Sequence, residues 1–202
     1  MDKIVEPDSL QLMFSRLYPK VILASSSPNR KALLEKGGTE VIVYKPEADE
    51  TRDGLTPEGI VLSIAERKLN SYLSSSAYSE ETPAIAADTL VLVDGLLLGK
   101  PSSLSDARSM LTRLSGKEQT VLTASGVKLP GKNPILILDK GGVVFRTLSV
   151  QDIENYLRTG EWEGAAGAYR LQKTGYTLVE EIHGDWTTVV GLPLGKLIDL
   201  IK

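Results

Sequence analysis

The sequence predicts a mixed α/β fold, and three observations carry that reading. Short apolar runs lead straight into capped helical segments, as where "KVILAS" precedes "SSPNRKALLEKGG", the strand-then-helix order of α/β chains. The run "AIAADTLVLVDGLLLGKP" reads as two strands about an Asp94-Gly95 turn, so a hairpin is mixed into the sheet. In "TPEGIVLSIAERKLNSYLSS", Ile60, Val61, Ile64, Ala65, Leu69, Tyr72 and Leu73 fall at helical spacing, the mark of an amphipathic helix.

Each element follows from local chemistry. "MDKIVEPDSLQLMFSRLYPK" (1–20) reads as an extension or short helix before the first strand. Ser27 is placed to cap the next helix, Pro28 suits its first turn, and Gly37-Gly38 can end it. "TEVIVYKP" is a strand and "DETRD" a charged loop; Thr56 and Pro57 then open the long helix. "SLSDARSMLTRLSG" is a helix ending at Gly116. "QTVLTASGVKL" and "GGVVFRTL" are strands joined through the "PGKNP" region. "SVQDIENYLRTG" starts on a Ser149-to-Asp152 capping box. "GAYRLQ" and "YTLVEEI" read as strands, and "WTTVVGLPLGKLIDLIK" as a strand turning into a final helix. No composition shift marks a boundary, so residues 21–202 are expected to form a single domain.

Composition removes several chemistries. The 202 residues include no cysteine and one histidine. Disulfides, thiolate metal sites and a Cys/His zinc centre are excluded. His183 lies in "EEIHGDW" and reads as a hairpin-turn residue; no G-x-S-x-G motif accompanies it. Any metal must be hard and oxygen-ligated, such as Mg²⁺ or Mn²⁺. A net charge of −3 gives no basis for nucleic-acid binding. No apolar run is long enough to span a membrane. The opening residues lack the apolar core of a signal peptide, and the cytoplasm is the expected location.

Three places break local rules. Arg30 and Lys31 sit in the first turns of a helix, where the dipole is already positive. They are either anion ligands or solvated surface cations. Lys68 lies on the line Ile60, Ile64, Lys68, Tyr72; it either snorkels from the edge of the apolar stripe or points into a cleft. Asp88 interrupts an otherwise apolar strand, where an unpaired carboxylate is costly. A two-residue turn at Asp94-Gly95 would set Thr89 opposite Lys100 and Asp88 opposite Pro101. Asp88 is then a buried ion-pair partner, or a metal ligand or general base beside a phosphate-binding lysine. "GLLLGKP" and "GLPLGKL" lack the spacing and the Ser/Thr of a P-loop.

Taken together, "LASSSPNRKALL", "DE" (49–50), "ADT" (87–89), "LGKP", "LSG", "AGAYRLQ" and "VVGLPL" resemble the Maf, or septum-formation-inhibitor, family. The resemblance implies the inosine-triphosphate-pyrophosphatase type of fold, a long mixed sheet with two lobes around a cleft, often dimeric. It implies a metal-dependent nucleoside triphosphate pyrophosphatase that turns NTP and water into NMP and diphosphate. By that resemblance Glu50 and Asp88 belong to the metal site, with Asp49 as an adjacent candidate. Asp88 is the proton acceptor, and Asp88, Glu50 and Lys68 form the catalytic set. Arg30, Lys68 and Lys100 are the cationic positions, with Ser27 among the substrate contacts.

In the branch favouring dTTP and UTP, the specificity positions map to Asn29, Thr89 and Gln172. Thr89 and Gln172 match, while Asn29 stands where the family usually has arginine. Gly164-Ala165 replace a common Asp-Lys, and Arg170 stands where glycine is common. Arg170 would restore a cation if strand alternation puts it on the face of Gln172. The alternatives are a pyrophosphatase for modified nucleotides such as 7-methyl-GTP, or a cell-division regulator that binds nucleotide with vestigial catalysis.

Overall fold

The computed structural model describes residues 9–51 and 56–200. Residues 1–8 of the expected extension, Arg52 and Asp53 of the charged loop, and the last two residues of the final helix lie outside the described residues. Two compact units divide the chain. One holds Met1–Asp88, Thr123–Asp139 and Gly191–Lys202; the other holds Thr89–Leu122 and Lys140–Val190.

In the first unit, helix α1 (Ser9–Leu17) precedes β1 (Lys20–Ala24), α2 (Pro28–Lys36), β2 (Glu40–Tyr44) and α3 (Pro57–Leu73). Strand β1 runs parallel to both β2 and β3 (Ala84–Val93), pairing Ile22 with Ile42 and with Ala84. Parallel neighbours need crossovers, and α2 and α3 supply them. Interior β1 is accordingly a continuous buried apolar run from Val21 to Ala24. Ser27 Oγ accepts the Arg30 amide, Thr56 Oγ1 accepts the Gly59 amide, and each helix carries Pro at its start, as expected. Helix α1 docks on the end of α2 through Gln11 Nε2, which donates to Leu33 O at 2.9 Å.

The face of α3 bearing Leu69 and Tyr72 packs on Ile22, Ala24, Ala84 and Ala86. Tyr72 is flanked edge-on by Tyr44 and Tyr78, with centroids 5.3 and 5.7 Å away. Gly126 lets α3 lie close: a Cβ there would sit 3.1 Å from Leu69 and 3.3 Å from the Ala65 carbonyl. This packing fixes the site. Asp88 continues the Ala84, Ala86 face of β3 by one pleat, and Lys68 immediately precedes Leu69 on α3.

The second unit contains β4 (Leu96–Leu98), α4 (Leu104–Leu114), α5 (Val150–Leu157), short 3₁₀ turns at Ala166–Ala168 and Thr174–Leu178, β7 (Val179–His183) and α6 (Trp186–Val190). Strands β5 (Glu118–Lys128) and β6 (Ile135–Phe145) contribute residues to both units, and α7 (Leu194–Asp199) belongs to the first. The sheet order is β2-β1-β3-β5-β6-β7, with β4 on β3. A mixed sheet with helices is the predicted class. The capping box of α5 forms as expected, Ser149 and Asp152 each bonding the other's backbone amide.

Several expectations need correction. The Asp94-Gly95 hairpin forms, with both residues at positive φ and Val93 opposite Leu96. Its ladder stops at Val91 opposite Leu98, so the Thr89–Lys100 and Asp88–Pro101 pairs do not extend it. "GAYRLQ" is not a strand. Gly167 and Ala168 both take left-handed φ (69° and 63°), which breaks an extended chain. Arg170 and Gln172 therefore do not share a strand face. The Arg170 guanidinium instead donates to the carbonyls of Glu161 (2.8 Å) and Glu163 (2.5 Å).

"YTLVEEI" is extended only from Val179, after a 3₁₀ turn. "WTTVV" is helical because Asp185 accepts the Thr187 amide at 2.8 Å and caps it, overriding the β preference of Thr and Val. Strand β6 begins at Ile135, six residues before the expected start at Gly141. His183 ends β7 before a turn into α6, rather than occupying a hairpin turn.

Candidate active site

Four of the sequence-predicted residues converge in the first unit. Lys68 Nζ lies 2.7 Å from Glu50 Oε1 and 2.8 Å from Asp88 Oδ1. The lysine and aspartate side chains are 11% and 13% exposed and Glu50 45%. Lys68 thus points inward between two carboxylates and does not snorkel outward. The cation meeting Asp88 is Lys68, where the hairpin register had suggested Lys100.

Arg30 completes the group. It is buried. Its Nε donates to Gly191 O at 2.7 Å and its Nη1 to Ser25 Oγ at 2.9 Å. Burial pushes its guanidinium below the ordinary value, while the negative charges of Asp88 and Glu50 act in the opposite sense. A guanidinium stays charged even so. Arg30 is therefore a positive charge held away from water, in the field of two carboxylates, and not a solvated cation. Lys31, by contrast, is a surface residue paired with Glu35 at 3.5 Å on its own helix.

The remaining predicted residues are placed as follows. Ser27 caps α2, and its amide donates to Ser25 Oγ at 3.2 Å. Asn29 is half-buried in the first turn of α2. Asp49 is engaged by its neighbours: its Oδ1 accepts the Thr51 amide at 2.9 Å, and its Oδ2 lies 3.4 Å from Arg67. Thr89, Lys100 and Gln172 belong to the second unit. Lys100 is exposed in the loop after β4. The carbonyl of its neighbour Gly99 accepts the Gly167 amide at 3.0 Å, tying the "LGKP" loop to the "AGAYRLQ" segment. Gln172 is half-buried, and its Nε2 has no hydrogen-bond partner among the described residues.

Sequence reasoning missed Ser25 and Gly191 as the groups that hold Arg30. Ser25 carried no distinguishing signal within a run of three serines. Gly191 has φ of 111° and lies inside "VVGLPL", so its glycine was visible but not its role as acceptor.

Glu50 and Asp88, on either side of Lys68 Nζ, supply hard carboxylate oxygens of the kind that Mg²⁺ takes. That ion commonly takes one or two carboxylates and completes its shell with water and phosphate oxygens. Among the described residues no cluster of three or more Asp, Glu, His or Cys side chains forms an all-protein metal cage. The donor set therefore fits a cation shared with a phosphate ligand better than a structural metal.

Residues 20–202 match the family described as "Maf-like protein". The chain is 44% identical over 184 residues to the dTTP/UTP pyrophosphatase of Clostridioides difficile, covering 90% of this chain and 93% of that one. It is 40% identical to the dTTP/UTP pyrophosphatase of Caldanaerobacter subterraneus subsp. tengcongensis, with 91% and 88% covered. Identity to the protein of that name from Pyrococcus abyssi is 41%, with 90% and 95% covered.

Proposed function

Because this chain belongs to the Maf family, we propose that it is a nucleoside triphosphate pyrophosphatase acting on dTTP and UTP. Water attacks the α-phosphorus, the Pα–O bond to the β-phosphate breaks, and diphosphate leaves with the electron pair. Asp88 accepts the proton of the attacking water. The single observation that carries this reading is Lys68 Nζ held between Glu50 and Asp88, with the buried Arg30 charge in their field.

The parts divide the work. Arg30, fixed by Ser25 and Gly191, is a preorganised anion ligand that needs no reorganisation when phosphate arrives. Lys100 adds a second phosphate cation and Ser27 a polar contact. Lys68 offsets two carboxylates that would otherwise repel each other. Glu50 and Asp88 would hold Mg²⁺ or Mn²⁺, which when bound supplies charge neutralisation at the phosphates. Thr89 and Gln172 read the base; a buried Gln172 Nε2 with no partner among the described residues suits a donor intended for a base carbonyl. Asn29 occupies the third specificity position. The reaction belongs in the cytoplasm, whose reducing conditions suit a cysteine-free chain, and a homodimer is compatible with the family resemblance.

The names of relatives at 40–44% identity support the pyrimidine substrates. The test is diphosphate release with Mg²⁺ or Mn²⁺ across dTTP, UTP, CTP, GTP and 7-methyl-GTP. Turnover of dTTP and UTP well above the others is expected. A preference for 7-methyl-GTP would reject the substrate assignment, and no turnover of any nucleotide would reject the enzyme.

A further inference from the structure

We propose that Arg67 is a positioning residue for Glu50, acting through a clamp built from Asp49, Thr51 and Arg67. This rests on the reading of Glu50 as a metal-site carboxylate. Arg67 Nη2 donates to the Thr51 carbonyl at 2.9 Å, and Nη1 lies 3.4 Å from Asp49 Oδ2. Its Nε donates to the Ser63 carbonyl of its own helix at 3.3 Å, which anchors the guanidinium. Asp49 Oδ1 accepts both the amide (2.9 Å) and the hydroxyl of Thr51, closing residues 49–51 into an Asx turn.

Glu50 is the middle residue of that turn. It reaches Lys68, the residue after Arg67 on α3. One helical step rotates the side chain by about 100°, so α3 grips the turn from two sides, Arg67 on Asp49 and Thr51 and Lys68 on Glu50. Burial cannot hold Glu50, because its side chain is nearly half exposed. The clamp supplies the restraint that burial does not. It also reassigns Asp49: its Oδ1 is spent on Thr51 and its Oδ2 faces Arg67, so it shapes the turn and does not ligate the metal.

Removing a group hydrogen-bonded to a metal ligand typically costs roughly tenfold to a hundredfold in metal affinity or activity, and Arg67 acts one step further out, on the residues either side of Glu50. Arg67→Ala is therefore expected to weaken Mn²⁺ binding, measured by titration calorimetry with a non-hydrolysable dTTP analogue present, by about tenfold. It should lower kcat for dTTP while leaving KM and Tm near wild type. Arg67→Lys, a point charge that cannot serve both Thr51 O and Asp49 as a planar fork does, should recover part of the loss. Mn²⁺ affinity and kcat within twofold of wild type in Arg67→Ala would overturn the clamp. If the wild type binds no Mn²⁺, it is the reading of the site that fails. Crystal structures of the variant then decide the clamp: Glu50 still on Lys68 in Arg67→Ala refutes it, and Glu50 released supports it.

Discussion

Lys68 Nζ lies 2.8 Å from Asp88 Oδ1, and both side chains are almost closed to solvent. A buried pair of this kind adds little net stability, yet breaking it is expensive because one charge is left uncompensated. Lys68→Met should therefore cost about 3 kcal/mol, at the lower end of the range for such pairs, since Glu50 can still turn to water. Asp88→Asn added to Lys68→Met should recover part of that loss. Denaturant unfolding of the three proteins measures it, and a stable Lys68→Met single variant would contradict the pairing.

Ser25 should matter for substrate affinity although it is not placed against substrate. Its Oγ accepts Arg30 Nη1 and the Ser27 amide. Ser25→Ala leaves a buried charged donor short of a partner, a loss of about 2 kcal/mol. The expected kinetic signature is a higher KM for dTTP with kcat less affected. Unchanged KM would mean that Ser25 does not hold Arg30 in its binding position.

The pH dependence of stability has an acid and a neutral component. His183 Nδ1 faces Glu118 at 3.1 Å and Nε2 faces Glu181 at 3.2 Å. These contacts raise its pKa above 6.5, the Glu118 hydrogen bond contributing most. A raised pKa means the folded state holds the proton more tightly. That stabilisation is complete below about pH 6.5 and is lost as pH rises through the folded value. Glu80 shifts the other way, down to about 2, chiefly through Lys128, then Tyr78 and the Gly131 amide. Its contribution is present above 4.5 and is lost as pH falls toward 2. Tm against pH should flatten on the neutral side in His183→Gln and on the acid side in Glu80→Gln. Curves that superpose on wild type would show these contacts to be unimportant.

What could be read in the sequence was what local chemistry encodes. Ser27 with Pro28, Thr56 with Pro57, Ser149 with Asp152 and Asp94 with Gly95 announce their caps and turn within a few residues, and all formed. Lys68 and Asp88 were visible as charges inside apolar patterns. The failures came where tertiary contacts override local preference. Ala168 is held at positive φ beside a Gly167 amide bonded to the distant Gly99, and nothing in "GAYRLQ" predicts that. Trp186–Val190 is helical because of the Asp185 cap, against its own β propensity. Arg30 was singled out for its position in the helix, but its partners Ser25 and Gly191 and the grip of Arg67 on Thr51 appear only once the chain is folded.

The proposed role of Asp88 as acceptor of a proton from water is tested most directly by diphosphate release from dTTP by Asp88→Asn, which keeps the side chain's shape and removes its basicity. A general base typically contributes roughly a hundredfold to ten-thousandfold in rate. The expected kcat is at least about a hundredfold lower, with the variant still folded and still binding nucleotide. A kcat within a few-fold of wild type would contradict it.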